Sequence, residues 1–213
     1  FFYAPPSGFL ALCSKNLPTP AIKLPEENFK PVLYTGTGNV DLDITVGFDP
    51  DMTWIKKRSE ADNNVFTTAT VGVGYILKTE DNSAQADWTD YVGPYITNGI
   101  RLNEVAQGDA VNEASQTYVM WNWKAGGGGD SPSANTDGTI NTSGTSVNTT
   151  AGISISKYSG TGSAGTIGHG LGVAPSVIIV KNRSTAGENW TVQTIDDATD
   201  YMKLNTTDAS ADS

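Results

Sequence analysis

The chain has little of several things. Cysteine occurs once, at Cys13, and histidine once, at His169. A single cysteine excludes an intramolecular disulfide framework and any cysteine-based zinc cluster. Cys13 reads instead as a small buried apolar side chain. Basic residues are scarce, 13 against 23 acidic ones, for a net charge of −10 and an isoelectric point near 4.4. No Lys/Arg cluster overrides that average, so a phosphate backbone is repelled and no nucleic-acid partner is expected. The same charge disfavours attachment to anionic lipid. No window approaches the ~18–20 consecutive apolar residues of a membrane span, so no membrane insertion is expected. The opening "FFYAPPSGFLAL" has no basic leader and contains Pro-Pro, unlike a signal peptide. Convincing amphipathic helices are also missing. Hydrophobic residues make up 38 % and charged residues 17 %, against a usual ~45–50 % apolar content. Gly, Thr, Ser and Asn take up the difference. That profile suits an extracellular or virion β-protein with short strands and many turns.

What the chain does have is a repeat. "YTGTGNVDLDITVGFDPDMTWIKKRS" at 34–59 is echoed by "YSGTGSAGTIGHGLGVAPSVIIVKNRS" at 158–184. Tyr34, Gly36 and Gly38 match Tyr158, Gly160 and Gly162 at an offset of 124; Gly47, Pro50, Lys56, Arg58 and Ser59 match Gly172, Pro175, Lys181, Arg183 and Ser184 at 125. "LKTEDNSA" at 77–84 resembles "LNTTDASA" at 204–211, offset by 127. A slowly drifting offset is what loop insertions in a duplicated unit produce.

The repeat divides the chain. Residues 1–30 carry a short aromatic strand and then Pro5, Pro6, Pro18, Pro20 and Pro25, which favour extended backbone; they read as the end of a preceding β domain and a connector. Residues 31–125 form β module 1, with strands expected in "KPVLYTG", "LDITVGF", "DMTWIKKR", "ATVGVGYIL" and "TYVMWNWK" and a long loop over 81–99. By the two-residue strand period, Met52, Trp54 and Lys56 share one face and Ile55 the other. Val119, Trp121 and Trp123 likewise oppose Tyr118, Met120 and Asn122. Residues 126–150, rich in Gly, Ser, Thr and Asn, read as a flexible linker able to form a thin strand pair. Residues 151–213 form an incomplete module 2, whose Val177–Val180 stretch reads as a strand between two layers. The expected fold is all-β, tandem β-sandwich or small β-barrel modules.

Catalytic chemistry is hard to assemble. His169 lies in a glycine-rich turn that its counterpart in the first unit does not share, and no Gly-x-Ser-x-Gly elbow precedes a helix. Asp41, Asp43, Asp49 and Asp51 are close in sequence but have no acidic counterparts in the second unit, so paired-carboxylate hydrolysis is not expected. Asp49/Asp51 and Asp196/Asp197/Asp200 offer clustered oxygens of the kind calcium takes, yet neither spells its loop motif. "GTGSAG" and "AGGGGD" lack the Gly-Lys-Ser/Thr ending of a phosphate loop. No catalytic residue, metal or cofactor is expected. The strand tryptophans Trp54, Trp121 and Trp123 read as core. Trp88, Tyr91 and Tyr95, placed in the loop among Asp87, Asp90 and Asn98, are the candidate binding residues: aromatic faces flanked by polar groups suit a glycan.

The motifs Tyr-Thr-Gly-Thr-Gly, Gly-Phe-Asp-Pro-Asp-Met-x-Trp-Ile-Lys-x-Arg-Ser and Thr-Tyr-Val-x-Trp-x-Trp-Lys-Ala-Gly resemble a β-rich repeat module of tailed-bacteriophage structural proteins, especially from phages of marine bacteria and cyanobacteria. Residues 1–22 resemble the end of a SPRY-like, concanavalin-type sandwich. The resemblance implies a virion protein, a fibre or appendage of tail or capsid, acting in host-surface attachment or as a spacer. It implies other virion proteins as partners, a homotrimer by analogy with phage fibres, and a chain belonging to a longer array. It carries no catalytic residues. Alternatives are a capsid decoration protein, for which shell binding replaces receptor binding, and a secreted bacterial adhesin.

Overall fold

A computed structural model describes residues 6–9, 16–17, 20, 22–103, 109–126, 132–195 and 197–212. Cys13, Asp196 and most of the expected N-terminal aromatic strand lie outside the described residues. The chain is mostly β, 40 % strand and 4 % helix, in several small antiparallel sheets that form no closed barrel among the described residues. The barrel alternative is therefore not what these strands form.

The first unit has two main sheets. One has the order β1 (Phe29–Thr35), β9 (Thr117–Trp123), β3 (Met52–Lys57), β4 (Val65–Thr68); the other has β2 (Leu42–Thr45), β8 (Gly99–Leu102), β7 (Val92–Ile96). A small pair joins β5 (Tyr75–Ile76) to β6 (Ala86–Asp87), and α1 (Asp109–Asn112) precedes β9. Strict alternation puts Ile55, Val65, Tyr118 and Met120 of the first sheet and Ile44, Ile100 and Leu102 of the second into one core cluster. Burial of these apolar side chains is the main stabilising term.

Several strands depart from the pattern reading. "ATVGVGYIL" is not one strand: Gly72 at φ +119 and Gly74 at φ +87 turn the chain between β4 and β5. The stretch 81–99 is not one loop either, because it supplies β6 and β7. In β7 the register slips: Val92 faces Leu102, but Tyr95 faces Ile100, so two residues oppose one. Pro94 within the bulge has no N–H to donate to the ladder. The extra residue turns Tyr95 to the same side as Val92, into the unit.

Polar groups close the core at one end. Tyr34 donates to the Val111 carbonyl at 2.6 Å and stacks on Tyr118 at 5.0 Å. Asn112, fully buried, accepts from the Thr37 amide at 2.9 Å and donates to the Asn39 carbonyl at 2.7 Å, clamping the Gly-Thr-Gly turn. Lys57 is buried between Asp62 and Glu113, each 2.7 Å from its ammonium. Burial alone pulls the Lys57 pKa down, but the two carboxylate hydrogen bonds outweigh it and hold it above the ordinary value.

Burial holds the phenols of Tyr34 and Tyr95 well above their ordinary pKa and pushes Tyr118 up to about 12. An unfolded tyrosine ionises near pH ~10. From there upward the unfolded chain sheds protons that the folded chain keeps, so stability falls with rising pH, by up to ~1.4 kcal/mol per pH unit for each such tyrosine. Lys57 acts in the same direction, its contribution being complete below pH ~10 and lost above. Urea midpoints at pH 8, 10 and 11 should therefore drop steeply only over the last interval, with phenolate absorbance lagging behind free tyrosine. A flat profile would contradict the burial of these groups.

The stretch 126–150, read as a linker able to form a thin strand pair, supplies one strand of such a pair. β10 (Thr142–Asn148) pairs with β11 (Ile153–Tyr158). β10 is an ordered strand because it docks: the Thr70 hydroxyl donates to Ser146 at 2.9 Å, and Asn148 donates to Asn28 Oδ1 and the Lys124 carbonyl at 2.9 and 3.0 Å. The last sheet runs β12 (Val177–Val180), β13 (Thr191–Thr194), β14 (Asp197–Lys203), β15 (Ala211–Asp212). β12 is not enclosed between layers: Val177, Ile178, Ile179 and Val180 are 54, 44, 55 and 41 % exposed. No layer covers either of its faces among the described residues.

Candidate functional site

Three places merit consideration, starting with the candidate glycan residues. Trp88 and Tyr91 sit on the turn between β6 and β7. Asp87 accepts from the Thr89 amide at 3.1 Å and its hydroxyl at 2.8 Å, and the Tyr91 amide closes the turn on the Trp88 carbonyl at 2.9 Å. Their rings meet edge to face at 5.9 Å, each half-buried against the core. Tyr95 does not join them. Its hydroxyl reaches Thr53 Oγ1 at 3.3 Å and the Thr67 carbonyl at 3.5 Å, between the sheets. Burial of that hydroxyl raises its pKa, so it acts as a neutral donor that ties β7 to β3 and β4.

The second place is the outer face of the β1–β9–β3–β4 sheet. Trp54, Trp121 and Trp123 lie there half-buried, not in the core. Phe29 meets Trp123 at 4.9 Å; Trp121 meets Trp54 at 5.8 Å; Trp54 meets Phe66 at 6.2 Å. These are directly opposed cross-strand pairs, which stabilise a sheet by contact on one face. The row ends on Trp190 of the second unit, whose ring meets Phe66 edge-on at 5.7 Å. Trp190 is 4 % exposed, and its indole N–H donates to the Lys78 carbonyl at 2.9 Å. Around it, Gln85 and Arg183 exchange two hydrogen bonds, at 2.9 and 2.7 Å, and the Gly187 amide donates to the Asn82 carbonyl at 2.9 Å. Burial lowers the pKa of both Lys181 and Arg183. Trp190 is thus the anchor of a joint between units. The sequence carries one signal for it, a lone Trp in the loop that follows the repeated Lys-x-Arg-Ser, and the pattern reading does not include it.

The third place is an open depression of about 450 Å³ lined by Asp137, His169, Gly170, Gly172, Val173 and Ala174. His169 Nδ1 accepts from the Leu171 amide at 3.2 Å, which fixes the ring within its own turn. Among the described residues no hydroxyl–imidazole–carboxylate relay forms on it.

Asp43, Asp49 and Asp51 of the first unit are spent on structure. Asp49 accepts from the Asn98 amide at 2.5 Å and Asp51 from the Ala125 amide at 2.8 Å. Arg101 forks onto Asp43 at 2.6 and 2.9 Å, and its hydrogen bonds hold the Asp43 carboxyl below its ordinary pKa. Among the described residues no three His, Cys, Asp or Glu side chains converge as metal ligands, and no helix is long and apolar enough to cross a membrane. The chemistry on offer at these three places is aromatic and hydrogen-bonding contact.

Residues 24–213 match the model of a protein family described as a domain of unknown function (DUF7483), and the chain belongs to that family. Neither a curated protein nor a solved structure matches the chain.

Proposed function

We propose that this is a non-enzymatic structural protein of a bacteriophage virion, a fibre or appendage of tail or capsid, built of tandem β-sandwich modules and serving host attachment or spacing. The observation that carries the reading is the duplicated β unit joined to its neighbour through the buried Trp190. Repeating a unit adds length and multiplies weak contacts, and linked weak sites gain ~10²–10⁴ in avidity when geometry lets them bind together. The outer aromatic row and the Trp88–Tyr91 corner supply surfaces for such contacts. Partners in this reading are other virion proteins, further copies of the chain in a trimer, and a host-surface glycan.

Localisation of an antibody against residues 31–125 on intact virions tests it. Label at the distal tail or on a projecting fibre supports the proposal. Label spread over the shell lattice replaces it with a decoration protein. Label on bacterial cells in the absence of phage makes it an adhesin.

The glycan contact has its own test. Replacing Trp88 and Tyr91 together with Ala should weaken binding to host envelope glycans by about tenfold or more, a tenfold change being ~1.4 kcal/mol. Tyr95→Phe should leave that binding unchanged and cost ~1 kcal/mol of stability through the lost hydrogen bond. Full glycan binding by the double variant would remove this corner from the reading.

A further inference from the structure

The two units align over four strands, and the alignment exposes a mismatch. β11 occupies the repeat position of β1, and β12 that of β3. The β13–β14 pair follows β12 as β4 and β5 follow β3, with the register shifted by two: Phe66 faces Leu77, whereas Val192 faces Met202 and Leu204, the counterpart of Leu77, donates its amide to the Trp190 carbonyl. Even a loop tie is repeated, with Lys56 donating to the Asp62 carbonyl at 2.6 Å and Lys181 to the Glu188 carbonyl at 2.8 Å. β3, however, has β9 on one edge and β4 on the other. β12 has β13 on one edge and, among the described residues, no strand on the edge that corresponds to the β9 side.

Three further positions differ in the same way. A Cβ at Gly36 would stand 2.2 Å from the Glu113 carbonyl oxygen, and one at Gly38 2.9 Å from Ala114 Cβ, whereas at Gly160 and Gly162 nothing lies within 4 Å. Tyr34 is enclosed against Val111 and Tyr118, whereas its counterpart Tyr158 is 40 % exposed. In the first unit all of these contacts come from one continuous segment, α1 and β9 with the turn between them. In the second unit the receiving residues are present and bare. Val177–Val180, apolar on both faces and lacking internal charge or proline, completes the picture of an edge built to be paired.

We propose that the second unit is an acceptor for a donor segment with the chemistry of residues 110–123: an Asn-bearing turn that seats on Gly160–Gly162, followed by a strand with aromatic residues at alternate positions that pairs with β12. Main-chain hydrogen bonds along β12 give the affinity, and the glycine turn and Tyr158 give the register. Edge-to-edge pairing of two β12 strands satisfies the observations less well, since it would leave Gly160, Gly162 and Tyr158 bare. The proposal stands apart from any virion location.

The test uses the whole chain and a synthetic peptide of residues 109–124, "DAVNEASQTYVMWNWK". Expected are saturable one-to-one binding, amide-exchange protection at 160–162 and 177–180, and unchanged exchange in the first unit. Replacing the peptide's Asn112 with Ala should weaken binding about tenfold or more, the tenfold being ~1.4 kcal/mol. Gly160→Leu in the chain, where a side chain meets open space, should leave the fold intact and weaken binding by a similar factor. Three results would each overturn the proposal: binding no tighter than that of a scrambled peptide, protection confined to β1 and β3, or a dimer of the chain alone that protects 177–180.

Discussion

Gly36→Ala should strongly destabilise the first unit, while Gly160→Ala, the same change in the same motif, should leave stability unchanged. Neither glycine has a left-handed backbone, so the difference is one of space. At Gly36 the new methyl would meet backbone: the Glu113 oxygen at 2.2 Å and the Asn112 carbonyl carbon at 2.9 Å. Those atoms belong to the segment that buries Asn112 and receives the Tyr34 hydroxyl. They cannot move aside without opening the Thr37–Asn112 and Tyr34–Val111 hydrogen bonds. Overpacking against backbone falls at the upper end of ~1–3 kcal/mol, and each lost hydrogen bond adds ~1 kcal/mol. In a unit of this size ~3 kcal/mol lowers Tm by roughly 10 °C or more. Calorimetry of the two variants side by side decides it. Equal melting of the two would mean that the turn does not clamp α1.

Trp190→Ala should separate the units. The side chain is nearly fully buried between the second unit's hairpin and Phe66 of the first, and its N–H is satisfied by the Lys78 carbonyl. Truncating a buried Trp costs ~3–5 kcal/mol. The loss falls on the joint, so the Gln85–Arg183 and Asn82–Gly187 bonds should open with it. The expected result is faster amide exchange at 78–85 and 181–190, together with an earlier separate transition for the second unit. Trp190→Phe keeps the edge contact and gives up one hydrogen bond, so ~1 kcal/mol is expected. If the Ala variant melts as one unit at the original temperature, the joint is held by something other than Trp190.

Much of the candidate surface was legible in advance, and its errors have physical causes. Which side chains share a face of β3 and β9 follows from the two-residue period, and the structure has it so. Which face is buried does not follow from that period. Tryptophan's apolar area suggests the inside, yet Tyr118, Met120 and Asn122 take the core and the tryptophans form an outer row. Tyr95 reads with Trp88 and Tyr91 because a stretch with Gly, Pro and Asp reads as loop; a two-residue bulge at Gly93-Pro94 turns it inward instead. Thr142–Asn148 lies in a stretch whose polar, small composition reads as a linker able to form a thin strand pair; it does pair, with β11, and Ser146 and Asn148 also find buried or half-buried partners at Thr70, Asn28 and Lys124, which composition does not reveal.

The sequence by itself determined the all-β character, the net negative charge and the internal repeat, because composition, charge and self-similarity are properties of the chain and need no partner in space. It also determined that both copies carry the Tyr-x-Gly-Thr-Gly turn. Only the tertiary structure decided that the turn is clamped in one copy and bare in the other, that Trp190 closes the joint, and that Val177–Val180 lies open where its counterpart is enclosed. Each of those depends on what residues far along the chain bring to the same place, and close approach at Gly36 is a distance between segments, with no trace in the local pattern of either.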